Sequence, residues 1–260
     1  MSVSIPEKKY HKIIRLVIKT GKQIKRQAAR SKIVSTKPND DLVTSADLFV
    51  EKQLIHYLTS HFPEHGIDSE ETGRHNPDAE YVWILDPIDG TKYYSKGISL
   101  YSISLALQHR GKLISGIVYI PETGQLFQAG MPGKTGAMLN RHPIQCAPSR
   151  SLSEVEICLE IPNRNSTPEK IGAALEKLQV LIRNTKRVRI LGVGSISLCY
   201  CAMGGFDLYL NLGTAFKYCD YAAGKVIVEK AGGEFVKTDQ YLMAGRRELI
   251  DRISDLLQLA

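Results

Sequence analysis

The feature that most constrains this chain is the run Tyr81-Val82-Trp83-Ile84-Leu85, followed directly by Asp86-Pro87-Ile88-Asp89-Gly90-Thr91. An uninterrupted apolar run rich in aromatic and branched residues predicts a buried strand. The strand ends in two carboxylates three positions apart, with Pro87 between them. Proline fixes its own φ and removes an N–H, so the chain leaves the strand in a defined way. Gly90 lets the backbone come close to a ligand. The amides of Gly90, Thr91 and Lys92 then open a helix, and a helix N-terminus binds anions. One turn therefore offers hard oxygen ligands for a divalent cation and amide donors for a phosphate, an arrangement that suits Mg2+. An Asp-Pro and Asp-Gly turn capping an ordinary helix is the plainer alternative.

At 260 residues the chain is one large domain or two of ordinary size, and its 43% apolar content supplies a full core. No apolar run approaches the roughly 20 residues needed to span a membrane. Lys and His residues interrupt the N-terminal apolar residues, so no signal-peptide core is expected. These features predict a soluble, cytoplasmic protein with no membrane partner. The 34 Lys and Arg outnumber 27 Asp and Glu, a net charge of +7 that attracts anions without choosing among them. No basic stripe with interleaved aromatics appears, so nucleic acid is not an expected partner. The five Cys are odd in number and form no C-x-x-C pair, which predicts reduced, small core residues. His56, His61, His65 and His75 lack zinc-site spacing.

Taken in order, residues 7–30 predict a helix with Ile13, Ile14, Val17, Ile18, Gly21 and Ile24 on one face. Lys12, Arg15, Lys19, Lys22 and Arg26 give it a solvated basic side. Thr44 or Ser45 is placed to N-cap a helix over 47–60, with Leu48, Leu54, Ile55 and Leu58 inward. Capping does not explain the cluster Lys37, Asp41 and Asp47. A short strand should then deliver Glu70 and Glu71 near a sheet edge. Neighbours on an extended chain point opposite ways, so at most one of the two faces a given site. Runs at 99–108, 112–120 and 125–129, joined by short turns, predict an antiparallel meander.

The turn-rich segment 130–148 marks a soft boundary. It divides an N-terminal α+β half, 1–148, carrying most of the candidate acids, from a C-terminal α/β half, 149–260. In the second half, strands are predicted at 155–160, 188–191, 206–210 and 234–236. Helices are predicted at 168–181 (Ile171, Leu175 and Leu178 inward), 195–203, 218–230 and 246–257, with Gly232-Gly233 ending the third. This alternation implies an α/β layer structure.

Hydrolysis of a phosphate monoester needs an in-line nucleophile, a clamp on the phosphate and stabilisation of the leaving oxygen. Two metals about 4 Å apart supply most of this. Such a site needs several carboxylates from different elements, and Asp41, Asp47, Glu70, Glu71, Asp86, Asp89 and Asp220 are available. Asp220 opens the helix at 218–230, where a capping acid is expected anyway.

Four blocks stand in a telling order: Asp41-Leu42-Val43-Thr44-x-x-Asp47, Glu70-Glu71, Trp83 to Thr91, and Asp220-x-Ala222-Ala223-Gly224 followed by Glu229-x-Ala231-Gly232-Gly233. Over nearly its whole length the chain resembles the inositol monophosphatase family, within the lithium-sensitive, magnesium-dependent phosphatases. The resemblance implies a layered αβαβα sandwich with the active site between its halves, and a homodimer. It implies two or three Mg2+ ions: one on Glu70, Asp86 and the carbonyl of Ile88, a second on Asp86, Asp89 and Asp220, and a weaker third through Glu70. It further implies Asp47, Glu70 and Thr91 as catalytic residues, with Asp47 holding the Thr91 hydroxyl as that hydroxyl orients a metal-activated water. Substrate would meet Asp89, Gly90, Thr91, Gly194, Ser195, Asn211 and Asp220. The implied activity is hydrolysis of inositol monophosphate or a similar small phosphate monoester.

The chain departs from the family at the substrate side. Asn211 stands near a place where members specific for inositol phosphate often carry Glu, and Cys219 stands where Trp commonly precedes the Asp. The family's substrate turn falls on either Gly192-Val193-Gly194 or Gly194-Ser195. Lys92 resembles the bisphosphate nucleotidase branch, acting on 3′-phosphoadenosine 5′-phosphate. The 211–218 loop resembles archaeal-type enzymes that also act on fructose 1,6-bisphosphate. Lys217 and Lys225 are candidates to hold a second phosphate. A non-catalytic relative that binds anions or nucleic acid is the alternative of another class.

Overall fold

In the computed structural model, residues 5–28, 31–36, 42–213 and 217–259 are described; Lys37, Asp41 and the last two positions of the helix expected over 7–30 lie outside them. Helix α1 (Glu7–Gln27) buries Tyr10, Ile13, Ile14, Val17, Gly21 and Ile24. The hairpin β1 (Ile33–Thr36) and β2 (Leu42–Thr44) leads into α2 (Ser45–His61). Thr44 caps α2 through a reciprocal box: its side chain accepts from the helix backbone while Asp47 accepts its N–H at 2.7 Å. Val50, Leu54 and Leu58 face the core. Leu48, expected inward, is 40% exposed. It lies two residues from Val50, and positions i and i+2 do not share a helix face.

Next come β3 (Gly66–Ser69), β4 (Gly73–His75), β5 (Tyr81–Asp89), the short α3 (Thr91–Ser95), β6 (Ser102–His109), β7 (Lys112–Ile120), β8 (Gln125–Ala129), β9 (Ala137–Leu139) and β10 (His142–Ile144). They form an eight-stranded sheet in the order β10-β9-β8-β7-β6-β5-β3-β4. Only β3 and β5 pair in parallel. The meander has the expected bounds at β7 and β8, whereas β6 starts later than residue 99. The turn-rich 130–148 region also holds the β9–β10 hairpin.

The remaining elements are β11 (Glu156–Glu160), α4 (Pro168–Asn184), β12 (Arg187–Arg189), α5 (Gly194–Ala202), β13 (Leu208–Asn211), α6 (Tyr218–Lys230), β14 (Glu234–Lys237), β15 (Leu242–Gly245) and α7 (Arg247–Leu257). A second sheet runs β12-β11-β13-β15-β14, parallel across β12, β11 and β13 and antiparallel beyond. The strand β15 was not expected from Leu-Met-Ala-Gly, which has no β-branched residue. Leu175, expected inward on α4, is 52% exposed, and Ala174 and Leu181 are buried instead.

Side chains alternate across each sheet, and both faces of both sheets are used. Trp83, Leu85, Leu105, Leu107 and Ile117 pack in one core with α1 and α2. Ile84, Ala106, Val118 and Phe127 face the other way, onto α5 and α6. The second sheet gives Cys158, Tyr209, Leu242 and Ala244 to that same central layer. Its opposite face, with Ile157, Leu159, Leu208, Leu210 and Met243, packs with α4 and α7. The result is the αβαβα sandwich. Two-sided cover is why the sequence of β5 is apolar without interruption.

The central layer is close-packed because its residues are small. A Cβ on Gly224 would lie 2.6 Å from Leu198, and one on Gly116 would lie 2.4 Å from the carbonyl of Ala223. Helix α6 thus sits almost on the backbone of β7. That seat carries Asp220, in its first turn, to the cleft at the carboxyl end of β5.

Candidate active site

On a regular strand, residues three apart face opposite sides. Asp86 and Asp89 do not, because β5 is bulged. Asp86 pairs with Ser104 and Asp89 with Ser102, so three steps on β5 match two on β6. The extra residue turns both carboxylates to one side. Gly90 then takes φ 95°, and a Cβ there would lie 2.7 Å from the carbonyl of Leu100. Only glycine meets both demands.

The two acids open into a cleft of about 540 Å³ lined also by Glu70, Ile88, Gly90, Thr91 and Asp220. Lys92, Lys96, Asn163 and Lys217 complete much of its wall. Glu70 follows β3 and is held by its backbone N–H to the carbonyl of Leu85 at 3.1 Å. Its carboxylate accepts from Lys217 at 2.9 Å. Glu71 does not line the cleft. Asp89 accepts the backbone N–H of Ser195 at 2.7 Å and the Ser195 hydroxyl. The start of α5 is thereby tied to the end of β5. Asp47 stands beneath Thr91 and accepts its hydroxyl at 3.1 Å; the same hydroxyl lies 2.7 Å from the carbonyl of Ile88.

Gly194 and Asn211 line a smaller adjoining cavity of about 140 Å³ that shares Asp89, Gly192 and Asp220 with the cleft. The Asn211 side chain is already engaged, donating to the Tyr209 hydroxyl at 3.2 Å and accepting from Gly213 at 2.7 Å. Lys217 lines the main cleft, whereas Lys225 pairs with Glu229 and lies over the Phe235 ring, away from it. Sequence reasoning passed over Glu160. It ends β11 directly beside Asn211 and accepts the backbone N–H of Gly192 at 3.1 Å. A terminal acid on a strand parallel to β13 was the available signal. Cys219 is the second surprise. The other four cysteines are buried, as core residues should be, but Cys219 is half-buried with its sulfur among the acids.

Crowding shows in the electrostatics. Burial, and then the charges of Glu70, Asp89 and Asp220, push the Asp86 carboxyl well above its ordinary range. Burial raises Asp89 to about 6 against the relief from Ser195, and raises Asp220 to about 8 with help from Asp89 and Glu70. Asp47 rises to about 6, again chiefly by burial, with Thr44 opposing, and Glu160 to about 7 through burial and then Asp89. Such a group of acids stays ionised at neutral pH only with compensating positive charge. Among the described residues no hydrogen-bond donor reaches the buried Oδ1 of Asp86. Hard oxygens, one of them unpartnered, together with mutual repulsion fit a divalent cation such as Mg2+.

The comparisons agree with this architecture. The family model described as "Inositol monophosphatase family" matches residues 7–252. A Haemophilus influenzae protein named Nus factor SuhB is 32% identical over 89% of this chain and 87% of its own length. Inositol monophosphatase 3 of tomato, Solanum lycopersicum, is 32% identical over 83% of this chain and 80% of its own. The solved structure of a Thermotoga maritima IMPase superposes with a TM-score of 0.82 at 25% identity, covering 94% of both chains. Among the described residues no helix is long and apolar enough to cross a membrane. With its bulged Asp-Pro-Ile-Asp turn, its layered fold and a family match over nearly its full length, the chain belongs to the inositol monophosphatase family.

Proposed function

We propose that this chain is a Mg2+-dependent phosphomonoesterase that hydrolyses inositol monophosphate or a similar small phosphate monoester. The observation that carries this reading is the β5 bulge. It turns Asp86 and Asp89 together toward Glu70 and Asp220, and among the described residues the Oδ1 of Asp86 has no donor. Glu70, Asp86, Asp89, Asp220 and the carbonyl of Ile88 would hold two or three Mg2+ ions. When bound, Mg2+ supplies Lewis acidity, offsetting charge on the phosphate and leaving oxygens and easing deprotonation of water.

The chain's own residues do the rest. Asp47 is fixed by Thr44 and in turn accepts from Thr91, so the Thr91 oxygen is held to orient an attacking water by its lone pairs. Gly90 and Thr91 stand at the start of α3, where backbone amides receive phosphate oxygens. Ser195 holds Asp89 in place, and the Gly194–Asn211 side receives the alcohol part of the substrate. Asn211 retains one amide proton beyond its bond to Tyr209 for a substrate hydroxyl.

Lys92, Lys96 and Lys217 in the cleft wall support a variant of this reading, in which the substrate carries a second phosphate. Fructose 1,6-bisphosphate and 3′-phosphoadenosine 5′-phosphate are then the candidates. The relatives named Nus factor favour a reading of another class, in which the chain serves a non-catalytic role on nucleic acid; the complete set of acids supports catalysis instead. The test is phosphate release with Mg2+, with and without lithium, from inositol 1-phosphate and the two bisphosphates. Release from any of the three, blocked by lithium, is the expected result. No release from any, with Mg2+ bound, would favour the non-catalytic role. Family membership also supports a cytoplasmic homodimer, which light scattering of the purified chain would test for its oligomeric state.

A further inference from the structure

Cys219 occupies the first turn of α6, one residue before Asp220. The residue common at this place in the family, Trp, offers an indole N–H and no ligand atom; a thiol offers sulfur. Here the Cys219 sulfur and one carboxylate oxygen each from Glu70 and Asp86 all lie within 4.8 Å of one another. The thiol also lies 3.4 Å from Oδ1 of Asp220. A second observation points to a ligand at the same spot: Asp86 is 1% exposed, and its Oδ1 has no donor among the described residues.

Two carboxylates with a sulfur form a different donor set from carboxylates alone. Mg2+ is hard and takes oxygen. Zn2+ and Co2+ accept sulfur together with carboxylate oxygen. We propose that Cys219 makes the Glu70–Asp86 position a site for thiophilic divalent cations, Zn2+ or Co2+, competing there with Mg2+. This rests on the metal-site reading given above and adds a sulfur ligand to it. As the sulfur–metal bond forms, the thiol proton leaves to solvent, and no electrons are transferred. Zn2+ thereby gains a ligand that Mg2+ does not use, so trace Zn2+ displaces Mg2+ from this position.

The test is a Co2+ titration of the full chain in Mg2+-free buffer, followed by absorption. The expected result is a near-ultraviolet sulfur-to-cobalt charge-transfer band that saturates together with the visible ligand-field bands. Cys219→Ser should keep the visible bands and lose the charge-transfer band, with Cys219→Ala as a second variant. Its Zn2+ affinity, read by competition with a chromophoric chelator, should fall by about tenfold or more, as expected for a lost ligand. Visible bands that saturate in the unaltered chain without a charge-transfer band would overturn the proposal and leave the carboxylate site standing. So would a charge-transfer band that survives in Cys219→Ser. Visible bands unchanged by Asp86→Asn would sink the underlying metal-site reading instead.

Discussion

Asp47 and Asp86 are both buried carboxylates beside the same turn, and they differ in what their oxygens touch. Asp47 is 0% exposed and accepts from the Thr44 backbone, the Thr44 hydroxyl and Thr91. Asp86 is 1% exposed, lies among Glu70, Asp89 and Asp220, and has an Oδ1 that accepts nothing from the described residues. Glu51, about one turn further along α2, follows the pattern of Asp47: Ser69 and Thr72 donate to it. The fold therefore knows how to satisfy a buried acid. Where it leaves one oxygen unsatisfied beside three like charges, the proposed Mg2+ would be the missing partner.

This contrast is broken most severely by Asp86→Asn. The change should lower Mg2+-dependent phosphate release by about a thousandfold or more, because a ligand to the catalytic cation is lost. It should also stabilise the metal-free chain at alkaline pH, by about 1–3 kcal/mol, because it removes an acid that burial and neighbouring like charges penalise once it ionises. Chemical denaturation without metal, set beside the activity assay, checks both halves. A destabilised Asp86→Asn chain would mean that Asp86 is satisfied by the fold after all.

Asp47→Ala should behave in the opposite sense on stability. It removes the capping box of α2 and leaves the Thr44 donors short of a partner, costing about 1–2 kcal/mol. Activity should fall by about 10- to 100-fold as Thr91 loses its anchor, the loss typical of an outer partner that orients the reacting group. A cost in activity with none in stability would break the contrast from the other side.

The smallest effect expected is in pH dependence. The folded-state values of Asp89 and Asp220 are raised from 3.8 to about 6 and about 8, and that of Asp86 is raised as well. An acid whose value is raised on folding contributes stability that is complete below its unfolded value and is lost as pH climbs through the folded one. Between about pH 4 and pH 8 the metal-free chain should therefore lose stability. The increase in Tm on adding Mg2+ should be larger at pH 8 than at pH 5. Equal increases at the two values would remove the electrostatic basis for cation binding.

Much of this was legible in the sequence, for reasons that separate local from distant information. Helix α6 has the expected bounds, 218–230, with Asp220 in its first turn and Gly232-Gly233 after its end; Lys217 stands at the N-cap and no side chain caps the helix, so Asp220 does not serve as the expected cap. The strands β7 and β8 were bounded by their turns. Asp86, Asp89, Gly90 and Thr91 are contiguous, so their meeting is local. The bulge that aligns Asp86 with Asp89 was not legible, since it is set by pairing with Ser102 and Ser104 on β6. Nor was the placement of Cys219 beside Asp86, which depends on how closely Gly116 and Gly224 let α6 approach the first sheet. Leu48 and Leu175 were expected inward from periodicity alone. Their helices settle on faces chosen by neighbours that periodicity does not see, and nearby apolar residues take the core, Val50 on α2 and Ala174 and Leu181 on α4. Lys225 is a candidate, with Lys217, to hold a second phosphate by sequence; about two turns further along α6, it lies over Phe235 instead.

On the proposed metal site, Asp86 requires a cation and Asp47 does not. The most direct measurement is Mn2+ titration of the purified chain by electron paramagnetic resonance, with Mg2+ as competitor, for the unaltered protein, Asp86→Asn and Asp47→Asn. Mn2+ should bind and be displaced by Mg2+ in the unaltered and Asp47→Asn chains, with binding weakened in Asp86→Asn by about 100-fold or more, at least the upper end of what losing an outer partner of a ligand costs. Equal Mn2+ binding by the unaltered chain and Asp86→Asn, or none by either, would contradict it.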